Sequence, residues 1–315
     1  MFDSASAARA GTVEFNPLVN LPELGRLRAA ATGRDWATVR AYLGELADPD
    51  LLAKAAGVVQ ETPGAEEFLF PLADKGDLLA RTLLAGTLVH VGWRIRSAAT
   101  ADHVSADQFT RFHGYLRRAE RLLIDVCADD PANALGWLHR LTTARGLQLG
   151  AGEARRRYER LAEHHPHFYS AQSKLLQQLC PKWGGTWQAA HTFAGECAAA
   201  APHGSLSALL VAEAHLEHYA DRKNDPYDLA GPAAQRELSD AVHRTVMHGD
   251  FRGDFHWIYA HNLFALLSWL TDDRPKAAWH FRQLAGRGSE SPWDRISGDP
   301  AATYQRARKE ALGKG

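Results

Sequence analysis

Glu213, His215, Glu217 and His218 place four ionisable side chains in one short stretch of a chain that carries 16 histidines. On a helix, residues three or four apart share a face, so His215 pairs with His218 and Glu213 with Glu217. Imidazole and carboxylate are ordinary protein ligands for divalent zinc. Two such ligands on one helix can be completed by an Asp or His from a neighbouring helix. His215, Glu217 and His218 are therefore the candidate metal ligands, and they allow one enzymatic reading, a metal-assisted hydrolase built in an all-α fold. The competing reading is a solvated helix face with one histidine hydrogen-bonded at a helix–helix contact. His164-His165-Pro166-His167 is a second histidine-rich segment, and its proline places it in a turn.

A different kind of chemistry belongs to the aromatic and cationic residues. In Lys182-Trp183-Gly184-Gly185-Thr186-Trp187 the paired glycines permit positive φ and close backbone approach, and Thr186 can cap a following helix. The tryptophans there either wedge helix pairs together or, with Lys182, present charge and an aromatic face to a ligand. Trp93-Arg94-Ile95-Arg96 offers the same choice between packing with snorkelling arginines and an anion-reading groove. Asn262 sits inside the apolar run that starts at Trp257, where an asparagine is unfavourable by propensity and needs a partner. That partner is either a bound peptide's backbone or a group on a neighbouring segment. The candidate partner-binding set is thus Trp93, Arg94, Arg96, Lys182, Trp183, Trp257 and Asn262.

Signatures of the common enzyme classes are missing. The chain has no G-x-S-x-G, no P-loop and no H-E-x-x-H, and Gly150-Ala151-Gly152 lacks the third glycine of a dinucleotide fingerprint. No catalytic residue and no cofactor is assigned on this basis. Net charge is −1 and the sequence pI is about 7.0, without a concentrated basic block, which argues against nucleic acid as the partner. Arg155-Arg156-Arg157 and Arg160 are flanked by Glu153, Glu159 and Glu163 and read as a salt-bridged solvent face. The three cysteines, Cys127, Cys180 and Cys197, form no C-x-x-C pair. The N-terminus lacks the basic and apolar regions of a signal peptide, and no apolar run reaches the roughly 18 residues of a membrane span. A cytoplasmic location is expected, with no membrane partner.

The elements that must position these residues are helical. Val and Ile together number 16 against abundant Ala, Leu and Arg, a balance that favours helix over strand. Asp35, Asp48-Pro49, the capping box Ser105…Gln108, Asp130-Pro131 and Asp299-Pro300 mark helix starts. Long helices are expected over 77–97 and 105–129, followed by 131–148, 151–164, 167–179, 186–200, 204–220, 254–270 and 274–286. Three segments share one spacing. Ala154 with Tyr158 and Pro166, Ala189 with Phe193 and Pro202, and Ala277 with Phe281 and Pro292 each set a small residue four before an aromatic and well before a proline. This is the pattern of the second helix of a tetratricopeptide repeat, a helix–turn–helix unit of about 34 residues. A short side chain lets two helices approach, the aromatic plugs the wedge, and proline ends the helix.

Pro181-Lys182-Trp183-Gly184-Gly185-Thr186, Glu213-Ala214-His215-Leu216-Glu217 and Trp257…Asn262-Leu263-Phe264-Ala265 also resemble a bacterial, largely actinobacterial, family of tetratricopeptide-like proteins defined by a domain of unknown function. His90-Val91-Gly92-Trp93-Arg94-Ile95-Arg96 and Ser291-Pro292-Trp293 are similar too, so the likeness covers roughly residues 35 to 295. It implies a helical-repeat fold and brings no activity or ligand. The sequence thus predicts an all-α, tetratricopeptide-like α-solenoid of stacked antiparallel helix pairs with irregular repeats. Residues 1–20 form an N-terminal arm, 21–130 a region of long helices, 131–296 the repeats, and 297–315 a C-terminal capping helix. The expected function is a protein-interaction scaffold that binds a protein or peptide on a concave face.

Overall fold

The computed structural model describes residues 13–96, 105–252 and 254–313. They are all-helical, with sixteen α-helices and no strand among the described residues. The chain divides into two compact units. The first, Glu23–Ala190, holds α2 (Pro22–Thr32), α3 (Trp36–Gly44), α4 (Pro49–Gln60), α5 (Ala65–Asp74), α6 (Leu78–Arg96), α7 (Ala106–Asp129), α8 (Ala134–Gly146), α9 (Gly150–Ala162) and α10 (Tyr169–Leu179). The second joins residues 13–22, with α1 (Pro17–Asn20), to the chain from His191 onward. Its helices are α12 (Leu209–Ala220), α13 (Pro232–Arg244), α14 (Trp257–Leu270), α15 (Arg274–Leu284) and α16 (Pro300–Leu312). The division falls within α11 (Trp187–Ala200). Of the expected arm at residues 1–20, the part up to residue 12 lies outside the described residues.

In the Glu23–Ala190 unit, α6 is the central rod. Ala80, Leu83, Leu84, Ala85, Leu88 and Val89 are buried on every side of it, as an apolar helix surrounded by others must be. Helices α4, α5, α7 and α8 pack around it. The polar groups it takes inside are satisfied locally, with Thr82 and Thr87 donating to the carbonyls of Leu78 and Leu83. Helix α7 is amphipathic and turns Phe112, Leu116, Ala119, Leu123 and Val126 inward. Its start is the predicted capping box, Ser105 and Gln108 bonding each other's backbone N–H. Asp35, Asp48 and Asp299 cap α3, α4 and α16 as expected.

Two expectations from composition need correcting. Asp130-Pro131 does not start α8: Asn133 does, accepting from Gly136 N at 2.8 Å, while Asp130 closes a turn onto Ala132 and Asn133. Nor is the arginine run wholly solvated. Arg156 is exposed on Glu153, but Arg157 is 3% exposed and binds Glu120 on α7, Glu153 on α9 and the Arg140 carbonyl on α8. It ties three helices together.

The second unit is built on α12 and α14, both buried over most of their circumference. Helices α14, α15 and α16 pack on one another around Trp293, Tyr304 and Phe281, whose rings lie within about 6 Å centroid to centroid. The strap at residues 13–16 adds to this cluster: Glu14 pairs with the backbone at 286–288, and Phe15 meets Tyr304 edge-on at 5.4 Å. Of the three small residues in the repeat-like spacing, Ala154 and Ala277 are fully buried with their aromatics Tyr158 and Phe281. At the third site Ala189 is half-exposed, and the buried small residue is Ala190, three rather than four before Phe193. That shift turns the close-approach face by one residue, about 100°.

Candidate functional site

Helix α12 carries its four ionisable side chains inward on two sides. Glu213, His215, Glu217 and His218 are all buried. Glu213 accepts from the Tyr259 hydroxyl at 2.7 Å, and Glu217 lies 3.6 Å from the Arg295 guanidinium. Burial and the Glu213 carboxylate hold the Tyr259 phenol protonated far into the alkaline range. Glu217 therefore faces Arg295 and does not join His215 and His218, which corrects the expected ligand set.

His215 and His218 meet four groups that were not singled out in the sequence. His191, from α11, places Nε2 3.0 Å from His218 Nδ1. The Tyr227 hydroxyl sits on His215 Nδ1, and its ring stacks on His218 at 3.9 Å. Glu237, from α13, lies 3.0 Å from His215 Nε2, and Asp225 lies 3.5 Å from His218 Nε2. One ligand atom each from His191, His215 and Glu237 falls within 4.8 Å of the other two. Burial is the main reason His191 and His215 are held down at about 4, and neighbouring imidazoles add to it. His218 is lowered as well, chiefly by burial. Burial thus favours the neutral form of all three rings, the form in which imidazole binds metals.

Beside this cluster is a cleft of about 410 Å³ between α11 and α13. Thr192, Ala194, Gly195, Ala198 and Ala199 keep its α11 wall low, and His191 and Glu237 face into it. Asp240 and Arg244, paired at 2.7 Å, line its other wall. A second cleft of about 410 Å³ lies among α13, α14 and α15 and is apolar, with Leu238, Val242, Met247, Phe264, Leu267 and Trp279 along it.

The Glu23–Ala190 unit brings together a separate group. Trp93 and Trp183 come from distant points of the sequence and meet edge-to-face at 6.0 Å. The Arg96 guanidinium lies 5.8 and 5.9 Å from the two rings, and that of Arg145 5.2 and 5.4 Å. Such contacts are worth about 0.5–1 kcal/mol each where they are solvated. Arg94 and Lys182 are exposed next to this group in the chain, and both indoles are half-buried. The Trp93 Nε1 is buried without an acceptor among the described residues. Trp183 is held by the turn that ends α10: Gly184 adopts φ +85°, and a Cβ at Gly185 would fall 2.0 Å from the Leu179 carbonyl oxygen. Only glycine fits there. Thr186 caps α11 by accepting from Ala189 N at 3.1 Å.

Two members of the expected binding set lie elsewhere. Trp257 belongs to the second unit, where the Arg287 guanidinium lies 5.7 Å from its ring. Asn262 is 0% exposed, donates to the Ile258 carbonyl at 2.7 Å and accepts from Trp293 Nε1 at 2.9 Å. With both ends of its amide engaged inside the core, it cannot read a peptide. Arg145 was not legible as a site residue, because nothing in its own helix marks the indoles it reaches.

Compared with known proteins, the chain matches no family model, no curated protein and no solved structure.

Proposed function

We propose that the chain is a partner-binding module, an irregular tetratricopeptide-like α-solenoid of stacked antiparallel helix pairs that recognises an acidic segment of another protein. The observation that carries this reading is the Trp93–Trp183 pair flanked by Arg96 and Arg145. Two half-buried indoles give flat apolar area at little conformational cost, and guanidinium groups beside them match carboxylates in geometry and charge. Arg94 and Lys182 extend the positive charge outward. Sequential packing of α5 on α6, α6 on α7, α7 on α8 and α8 on α9 supports the stacked-hairpin arrangement. The cytoplasmic location and the likeness to the bacterial tetratricopeptide-like family remain part of the same proposal.

The test is titration with short fluorescein-labelled peptides, a glutamate-rich one against its glutamine counterpart, read by polarisation and by quenching of tryptophan emission. The glutamate peptide should bind, weaken with salt, and lose about tenfold in affinity (~1.4 kcal/mol) in Trp183→Ala and in Arg94→Ala/Arg96→Ala. Equal binding of both peptides, or unchanged affinity in Trp183→Ala, overturns the assignment of this face. A second reading, a metal-assisted hydrolase centred on His215, draws support from the convergence of His191, His215 and Glu237 beside a cleft. It requires that these three side chains bind a metal ion.

A further inference from the structure

The imidazole–carboxylate cluster has the chemistry of a cation site and no metal-binding motif in sequence, since its members come from three different helices, α11, α12 and α13. We propose that His191, His215 and Glu237 bind one divalent transition-metal ion, with zinc as the best fit. The inference is independent of the acidic-segment reading; the hydrolase reading requires it, but it does not require hydrolysis.

Three features carry it. The donor set is two imidazoles and one carboxylate, which zinc takes in sites that keep a fourth position open. Ligand atoms around tetrahedral zinc stand about 3.3 Å apart, from bonds of about 2.0–2.1 Å. Here they already lie within 4.8 Å of one another, with His215 Nε2 and the Glu237 carboxylate at 3.0 Å. The Glu237 side chain is 57% exposed and can adjust its rotamer to the ion. Second, each histidine is braced by a contact at one ring nitrogen. The Tyr227 hydroxyl occupies His215 Nδ1, which leaves Nε2 for a metal. His218 holds the His191 ring at 3.0 Å and is followed by Asp225 at 3.5 Å. Partners of this kind fix tautomer and ring orientation in metal sites. Third, His191 and Glu237 face a cleft walled by small side chains, which gives an ion a way in and a fourth ligand, water or substrate, room to sit.

The experiment uses the full chain purified without a histidine tag, stripped with chelator and titrated with ZnCl₂ by calorimetry and by competition with a chromophoric chelator. One zinc per chain is expected. CoCl₂ should give the visible absorption of a low-coordinate Co(II) site. Glu237→Gln should weaken zinc binding at least tenfold with the fold intact, because the residue is largely on the surface. His191→Gln should abolish the Co(II) spectrum. Tyr227→Phe, which removes only the brace, should cost about 10- to 100-fold. His243→Ala, an exposed histidine outside the cluster, should change nothing. Should His191→Gln fail to fold, Glu237→Gln and Tyr227→Phe still decide the matter. The proposal is overturned if zinc does not bind stoichiometrically, or if it binds with the same affinity in Glu237→Gln and His191→Gln, which would mark adventitious surface binding.

Discussion

Asn262→Ala separates a structural lock from a recognition residue. The wild-type side chain accepts from Trp293 Nε1 at 2.9 Å, and both residues are 0% exposed. Truncation leaves an indole N–H buried without an acceptor, which costs about 1–3 kcal/mol. The amide's lost volume, on the order of 40 Å³ in a core that cannot fully collapse, adds about 1 kcal/mol. Alanine recovers about 0.5–0.7 kcal/mol through its better helix propensity. The bond from Nδ2 to the Ile258 carbonyl enters little, because that carbonyl keeps its place in the helix ladder. The net is a loss of about 2–3 kcal/mol, felt where Trp293 packs against Phe281 and Tyr304.

Because the chain has two compact units, one global unfolding free energy is not well defined. Urea unfolding should therefore be read together with hydrogen exchange resolved over α14, α15 and α16. Exchange there should accelerate by a factor matching the loss, and protection in α6 and α7 should hold. A double-mutant cycle with Trp293→Phe should return about 0.5–3 kcal/mol of coupling. If Asn262→Ala changes stability by less than about 0.5 kcal/mol and exchange over α14–α16 is unaltered, the indole–amide bond is not what holds this end of the molecule. If stability holds but binding of a partner is lost, Asn262 belongs to recognition after all.

Three further outcomes follow from buried polar groups. Asp50, on α4, accepts from Tyr169 N, Ser170 N and the Ser170 hydroxyl and so caps α10; Asp50→Ala should cost about 2–4 kcal/mol by urea unfolding of the Glu23–Ala190 unit. Arg157→Ala should cost about 3 kcal/mol or somewhat less, because Glu120 loses its buried partner but keeps Arg140 at 3.2 Å, and measurement of Arg157→Ala/Glu120→Gln should recover part of it. His261 and His280 share a buried contact at 3.1 Å, and burial holds them down at about 4 and about 3. Both are neutral, folded or unfolded, above about pH 6.5, so their contribution is intact there. As pH falls from 6.5 towards 4 and then 3, the unfolded chain takes up protons first, and stability drops by up to about 1.4 kcal/mol per pH unit for each histidine. A pH series of thermal unfolding should show His280→Phe with a shallower decline than wild type over that window, and parallel curves would refute it.

What the residues revealed in advance was local. Caps at Asp35, Asp48, Ser105 and Asp299 were readable because a side-chain acceptor, a proline or a Gln at the right offset decides a helix start within four residues. Asp130-Pro131 misled for the same reason: the local signal was real, but Asn133 competed for the start and won with a better-placed oxygen. The pairing of Trp93 with Trp183 was half legible, as both stretches stood out by composition, while Arg145 did not. Partnership across the sequence distance that separates them is set by packing of α6, α8 and the turn after α10, which no spacing rule encodes.

Helix α12 shows why the histidine cluster is only half legible in the sequence. Helical spacing defines two faces, a histidine pair and a glutamate pair, but not which neighbour each meets. A buried carboxylate needs a donor or cation, and Glu213 and Glu217 take Tyr259 and Arg295. Buried imidazoles can stay neutral and bond one another, and His215 and His218 take His191 and Tyr227 instead. The acid that completes the histidine side, Glu237, is the one left half in solvent, on a different helix. Sorting by desolvation cost thus sends the helix's own glutamates away from its histidines. An adjustable, solvent-facing carboxylate is left opposite two hydrogen-bonded rings, which is the division of rigidity and freedom that the proposed cation site requires.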